Sequence, residues 1–151
     1  MKITFMLNDR KVTWDALPGE SLLDFLRRHH VVSVKKGCDG STCGVCTVLM
    51  NHKPVLACTV LAMRCTGEHI HTVEGLADEV EKISEAFGIE GADQCGFCNP
   101  GIALSLYALK RENSNAEASE IRQYLEGHLC RCSGYQAQVK AALRYIGGGQ
   151  S

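Results

Sequence analysis

The chain has 151 residues, enough for one ordinary domain or for two small domains that share an interface. Its 16 basic and 17 acidic residues give a formal charge of −1, and no long block of one sign suggests binding to nucleic acid or an anionic membrane. Because the sequence contains neither a recognisable secretory signal nor an apolar run long enough to cross a bilayer, we expect a cytoplasmic protein without direct membrane contact.

Residues 1–75 are predicted to be rich in β-strands. Alternating apolar residues followed by Asn8-Asp9 predict a β-hairpin that continues into 11–14. Ser21, with Asp24 three residues later, predicts the start of a short helix. Further strands are predicted at 47–50, 55–60 and 70–73.

Residues 76–147 have the apolar periodicity of four helices. The second of these helices should begin at Asn99-Pro100, a capping residue followed by proline at the first helical position. Strands followed by helices predict an α+β fold, here divided into two domains at 1–75 and 76–147. The glycine-rich tail, 148–151, is predicted to be disordered.

Nine cysteines are present, an odd number that favours metal ligation over disulfides in a reducing compartment. Cys38, Cys43 and Cys46 have the C-x4-C-x2-C spacing of a plant-type [2Fe–2S] site, and Cys58 would be its fourth ligand. Glycines lie between these ligands, and they permit the backbone conformations that a loop needs to wrap an anionic cluster.

A second group contains a C-x2-C pair and a later C-x-C pair, both predicted at helix ends, where the helix dipole can stabilise thiolate. Its members are Cys95, Cys98, Cys130 and Cys132. Four thiolates in two pairs can also hold zinc, so a structural zinc site stays open as an alternative for either group. Cys65 belongs to neither group and is predicted to be a buried apolar residue.

The six histidines form no convincing ligand set. His69 and His71 could share one face of a strand, but they lack a third ligand nearby and are predicted to be surface residues. No phosphate-binding loop and no Ser/His/Asp arrangement stands out, so we expect no substrate chemistry on this chain alone.

Three segments, VKKGCDGSTCGVCTV, QCGFCNPG and LCRCSGY, resemble the small iron–sulfur subunit of the molybdenum hydroxylases. This is the family of xanthine dehydrogenase, aldehyde oxidoreductase and carbon monoxide dehydrogenase, and the resemblance extends over residues 2–146. It implies a β-grasp, ferredoxin-like domain with one [2Fe–2S] cluster on the first cysteine group. It also implies a four-helix-bundle-like domain with a second [2Fe–2S] cluster on the other group.

The resemblance further implies an electron-transfer subunit of a heteromeric oxidoreductase. Electrons would leave a molybdenum–pterin cofactor on a large partner subunit, cross both clusters, and reach FAD on a medium subunit or an external acceptor. Gln94 matches a glutamine that hydrogen-bonds the pterin, and Cys132 matches a position where the backbone approaches it. Ser41-Thr42 stands where Gly-Glu is usual in the xanthine dehydrogenase branch.

We expect the xanthine dehydrogenase type of enzyme. A related enzyme acting on aldehydes, carbon monoxide or N-heterocycles stays open, as does a stand-alone ferredoxin-like carrier. The helical half disfavours the carrier, because a single cluster needs only the first half of the chain.

Overall fold

The computed structural model describes residues 1–148, which form five strands and five helices joined by short loops and 3₁₀ turns. The strands are β1 (Lys2–Leu7), β2 (Arg10–Asp15), β3 (Thr47–Met50), β4 (Lys53–Leu56) and β5 (His69–His71). The helices are α1 (Leu22–Arg28), α2 (Ala77–Ile89), α3 (Asn99–Glu112), α4 (Ala118–Leu125) and α5 (Gln136–Ile146). Gly148 lies in a turn after α5, and the rest of the predicted tail lies outside the described residues.

The five strands form one mixed sheet in the order β2-β1-β5-β3-β4. β1 pairs antiparallel with β2 and parallel with β5, while β3 pairs antiparallel with both β4 and β5. Ile3, Phe5 and Leu7 on β1 point to the buried face, in the period of two that the sequence predicts. Apolar side chains of α1 join the same core, so the predicted β-grasp arrangement is confirmed.

Helix α1 begins where the sequence predicts, because the Ser21 hydroxyl accepts a hydrogen bond of 3.0 Å from the Asp24 amide. It ends at His29, whose imidazole stacks on the Trp14 ring with 4.3 Å between ring centroids. The stacking fixes the end of α1 against β2, just before the loop that carries the first cysteines.

Helices α2–α5 share a second hydrophobic core, which confirms the predicted four-helix half and the α+β class. Helix α3 also packs on the sheet, where Leu104 and Ala108 meet Leu49 of β3 in a small buried cluster. Complete burial of a leucine side chain contributes about 1.5–3 kcal/mol. This contact fixes the orientation of α3, and therefore of the cysteines that precede it, relative to β3.

The segment predicted as a strand at 55–60 is shorter in the structure. β4 ends at Leu56, and Ala57–Thr59 form a 3₁₀ turn that carries Cys58. Apolar periodicity does not distinguish a strand from the turn, because Ala57 is fully buried in the turn, as an apolar strand residue would be.

Two predictions about polar residues are wrong. Asn99 does not cap α3, since Cys98 holds the cap position and the Asn99 amide donates to Asp93 instead. His71 is a buried residue with 4% exposure, and its Nε2 lies 3.1 Å from the Asp9 carboxylate. β5 is the central strand, and His71 lies on the sheet face that α3 covers, so a side chain that strand alternation alone places at the surface is hidden.

Among residues 1–148, no helix is both long and apolar enough to cross a membrane.

Candidate metal centres

The first cysteine group is assembled from a loop, a strand start and a turn. Cys38 and Cys43 lie in the loop between α1 and β3, Cys46 directly precedes β3, and Cys58 lies in the 3₁₀ turn after β4. The structure therefore brings together all four predicted members. Their thiols form two neighbouring pairs, Cys38 with Cys43 and Cys46 with Cys58.

Backbone amides and burial make the thiols of the first group unequal. The amides of Thr42 and Cys43 donate to the Cys38 sulfur and lower its pKa to about 6, which favours thiolate at neutral pH. Burial raises the pKa of Cys46 to about 11 when no metal compensates its charge. A bound cation would offset that burial cost, because metal ligation deprotonates a coordinating thiol outright.

Glycine is required at one position of this loop for two independent reasons. Gly44 has a φ of +73°, and a Cβ at Gly44 would lie 2.3 Å from the Gly127 carbonyl oxygen. That oxygen belongs to the segment that leads into the second cysteine group. The loop of the first group and the chain before Cys130 therefore pack backbone against backbone.

The second cysteine group lies at the ends of three helices. Cys95 and Cys98 precede α3, while Cys130 and Cys132 lie between α4 and α5, as predicted. These four thiols also form two neighbouring pairs, Cys98 with Cys130 and Cys95 with Cys132. The first pair is buried or half-buried, whereas both members of the second pair are exposed.

Hydrogen bonds from Ser133 and Gln138 reach the sulfur atoms of the less exposed pair. Burial raises the pKa of Cys130, but hydrogen bonds from the Ser133 hydroxyl and amide, at 3.1 and 3.4 Å from its sulfur, together with those from Cys132 and Cys98, bring the pKa to about 7. The Gln138 amide donates to the Cys98 sulfur over 3.5 Å, although burial still raises the pKa of Cys98 to about 11.

Gln138 is a site residue that the sequence prediction missed. Its only signal in the sequence is a polar residue in the apolar stripe of α5. Ser133 does not cap α5, whose cap position is held by Tyr135; its hydroxyl accepts a hydrogen bond from the Tyr135 amide and donates to the Cys130 sulfur.

Gln94 lies beside the exposed pair, where its side-chain amide donates to the Cys132 carbonyl oxygen over 3.2 Å. This contact brings together the two residues that the resemblance assigns to the pterin. The hydrogen bond uses one of the two amide hydrogens of Gln94. Because Gln94 is exposed, its side-chain oxygen is available to a ligand.

The two cysteine groups face one another across a cavity of about 390 Å³. Cys43 lines it from the first group, and all four cysteines of the second group line it from the other side. The wall also contains Phe97 and Leu129. At its edge the Leu129 amide donates to the Cys43 carbonyl oxygen over 2.9 Å, so one hydrogen bond joins the two cysteine loops directly.

The donor sets fit binuclear clusters. Within residues 1–148, no three histidine, cysteine, aspartate or glutamate side chains converge closely enough to hold a single metal ion. A [2Fe–2S] cluster with four cysteine ligands takes two thiolates on each iron. Two neighbouring thiol pairs at each site match that requirement, and donors at Cys38, Cys98 and Cys130 suit an anionic cluster.

Comparisons with known proteins agree with both sites. The family described as "2Fe-2S iron-sulfur cluster binding domain" matches residues 5–77, and the family described as "[2Fe-2S] binding domain" matches residues 72–143. The matches contain the first and the second cysteine group respectively, in the order that the resemblance predicts.

Two relatives match along most of their own length. The xanthine dehydrogenase iron-sulfur-binding subunit of Escherichia coli O157:H7 is 39% identical over 85% of this chain and 83% of that protein. The nicotinate dehydrogenase small FeS subunit of Eubacterium barkeri is 40% identical, with the same shares covered.

A solved structure, that of quinoline 2-oxidoreductase from Pseudomonas putida 86, superimposes with a TM-score of 0.92 at 31% identity. The match covers 98% of this chain and 94% of the solved one. Three observations agree with one another: the order of the two matched families, the presence of two thiol sets, and the superposition over nearly the whole chain. The chain thus belongs to the small iron–sulfur subunits of the molybdenum hydroxylase family.

Proposed function

We propose that this chain is the electron-transfer subunit of a multi-subunit molybdenum hydroxylase. It would hold one [2Fe–2S] cluster in residues 1–75 and a second in residues 76–147. The first would be bound by Cys38, Cys43, Cys46 and Cys58, and the second by Cys95, Cys98, Cys130 and Cys132. When bound, each cluster accepts and releases one electron at a time.

The observation that carries the proposal is the proximity of the two thiol sets. They face one cavity, and the Leu129 amide that donates to the Cys43 carbonyl is one residue away from Cys130. A short covalent path with a single hydrogen bond therefore connects the two sites. A protein that serves only one cluster would not need this arrangement.

We infer that electrons enter at the exposed thiol pair. Cys95 and Cys132 are exposed, and Phe97, Leu129 and Tyr135 around them leave apolar surface uncovered, with exposures of 46%, 56% and 39%. Exposed apolar side chains around a polar centre are typical of a protein interface. We assign this face to the large subunit that holds the molybdenum–pterin cofactor.

Gln94 and the backbone of Cys132 would then meet the pterin. The Cys132 carbonyl already accepts the Gln94 amide, so both groups are held together before the partner arrives. Such preorganisation lowers the entropy lost on binding.

The first site would pass electrons outwards, to FAD on a medium subunit or to an external acceptor. Its Cys58 is half-buried, and the side chains of Leu61 and Met63, which follow its 3₁₀ turn in the chain, are exposed. This surface is the second region with exposed apolar side chains close to a cysteine. It suits a contact with an acceptor subunit.

We propose the xanthine dehydrogenase type, supported by the similarity to the E. coli subunit. The chemistry on the partner would be hydroxylation of a purine-like heterocycle. The names of the nicotinate and quinoline enzymes favour N-heterocycles as a class, and they keep a related heterocycle hydroxylase as the second candidate.

Copurification tests the proposal. A tagged chain isolated from its native cells should bring down a larger subunit containing molybdenum and pterin, with a flavoprotein. The chain itself should carry about four iron and four sulfide ions. A brown, iron-loaded chain without partners would support a free ferredoxin-like carrier. A colourless chain that contains zinc would overturn both hypotheses.

A further inference from the structure

Gln138 is the only strongly polar side chain on the buried face of α5. It is 1% exposed and lies among Val139, Ala141, Ala142, Tyr145 and Ile146, which form the apolar stripe of that helix. Its Nε2 donates to the Cys98 sulfur over 3.5 Å. Because α5 is four residues beyond Cys132 in the chain, this bond ties the helix after the second site to the thiol before α3.

The other end of the Gln138 side chain has no partner among residues 1–148. Its Oε1 is buried and accepts no hydrogen bond. A buried carbonyl without a donor destabilises a fold, and an apolar side chain of similar size would avoid that cost. The opposite orientation of the amide would place the oxygen lone pairs against sulfur. The amide hydrogen bond to Cys98 is therefore the one favourable polar contact that Gln138 makes.

A donor that points at a cluster thiolate acts differently on the two redox states. Reduction adds one negative charge, so a fixed N–H group stabilises the reduced state more than the oxidised state. Burial strengthens this effect because water does not screen the dipole. Cys98 is 8% exposed, whereas Cys95 and Cys132 are exposed to solvent.

We propose that Gln138 is a positioning residue that raises the reduction potential of the second cluster through its hydrogen bond to Cys98. The inference rests on the proposed function, since it requires a cluster at that site. In that function one electron at a time would pass from the partner's cofactor to the second cluster, held by Cys95, Cys98, Cys130 and Cys132, and from there to the first cluster. Gln138 makes the first of these transfers more favourable and the second less favourable.

The test is a redox titration of the assembled complex, monitored by EPR, on Gln138→Met and on Gln136→Met. Methionine has nearly the same length but no donor. Gln136 is an exposed glutamine on the same helix and provides the matched control. We expect Gln138→Met to reduce the equilibrium constant for reduction of the second cluster about tenfold, which corresponds to about 59 mV.

The potential of the first cluster should stay unchanged, as should both potentials in the control. The thermal midpoint of Gln138→Met should equal or exceed that of the wild type, because the unpaired carbonyl is removed. The inference would be overturned if the second cluster had the same reduction potential in Gln138→Met and wild type, or if the potentials of both clusters shifted by the same amount. Either result would leave the proposed function intact. A wild-type complex without a second cluster signal would overturn the proposed function itself.

A measurement on the unmodified protein covers the case in which Gln138→Met fails to assemble. Complex labelled with ¹⁵N in the glutamine side chains should give a nitrogen coupling to the second cluster in pulsed EPR, and this coupling should persist when Gln94, whose amide reaches the Cys132 carbonyl, is replaced by methionine. Gln138 is the glutamine whose amide donates to a thiol of that site. The absence of any coupling would contradict the hydrogen bond on which the inference depends.

Discussion

The imidazole Nε2 of His128 lies 2.8 Å from the hydroxyl oxygen of Ser105, and both side chains are buried. Burial lowers the pKa of His128 to about 4, so the imidazole is neutral at pH 7 and shares one hydrogen bond with the serine. Ser105 lies on α3, while His128 is two residues before Cys130. The pair therefore anchors the chain segment that leads into the second cysteine group.

Replacing Ser105 with alanine should destabilise the protein by about 1–3 kcal/mol, because it leaves a buried imidazole nitrogen without a partner. Thermal unfolding measures the loss. Ser84→Ala on α2 is the control, since Ser84 is exposed and should change stability little. Equal unfolding temperatures for Ser105→Ala and wild type would mean that the pair does not anchor this segment.

Gly44→Ala should be more damaging than an alanine at other glycines of positive φ. The positive φ alone costs about 1–3 kcal/mol, and the new Cβ would also lie 2.3 Å from the Gly127 carbonyl oxygen. Gly19→Ala separates the two effects, since Gly19 has the same φ of +73° and a methyl group there would meet no atom within 4 Å. Chemical denaturation compares the variants, and similar losses at both positions would argue against the close contact between the two cysteine loops.

Cys65→Ala should keep the full iron content of the chain. Cys65 is completely buried in the core of the sheet, and burial raises the pKa of its thiol to about 11, so it is a neutral apolar side chain. We expect a loss of about 1 kcal/mol from the smaller side chain. Cys58→Ala is the contrasting variant and should reduce the iron content by half. Loss of iron from Cys65→Ala would contradict the ligand assignment.

Glu79 should contribute to stability above its ordinary pKa and lose that contribution in acid. Hydrogen bonds from Lys82 and from the Tyr145 hydroxyl, the latter at 2.6 Å, lower the pKa of Glu79 despite partial burial. A carboxyl group with a lowered pKa in the folded state stabilises that state at neutral pH, and stability falls as the pH drops through the folded pKa.

Glu79→Gln should therefore weaken the dependence of the unfolding free energy on pH between about 5 and 3, by about 0.5 kcal/mol for a partly exposed group. Glu81→Gln on the same helix, where residue 81 is exposed, is the control. If both variants kept the pH dependence of the wild type, the contacts of Glu79 would not contribute to acid stability.

The sequence predicted the features that depend on local pattern. Alternation of apolar residues on β1, the Ser21 cap and the spacing of the cysteines are all short-range signals, and the structure confirms the elements that they predict. The membership of the two cysteine groups could be predicted because each group contains closely spaced pairs. The ligand roles of these cysteines stay predictions until a cluster is observed.

The errors and omissions concern contacts between distant parts of the chain. His71 is buried because it lies on the sheet face on which α3 packs, and its imidazole contacts Asp9 of the first hairpin. Gln138 meets Cys98 from a position 40 residues away. In the helical pattern this glutamine only interrupts an apolar stripe. The pattern gives no indication that the side chain meets the Cys98 sulfur. Asn99 likewise follows the pattern of a cap but forms its bond with Asp93.

EPR spectroscopy of the reduced complex tests the central claim most directly, when wild type, Cys38→Ala and Cys95→Ala are compared. Alanine removes a ligand without offering an oxygen in its place. The wild type should give two distinct signals of [2Fe–2S] clusters, and each variant should lose a different one while keeping the other. A single signal in the wild type, or the same signal lost from both variants, would contradict two separate clusters on the two cysteine groups.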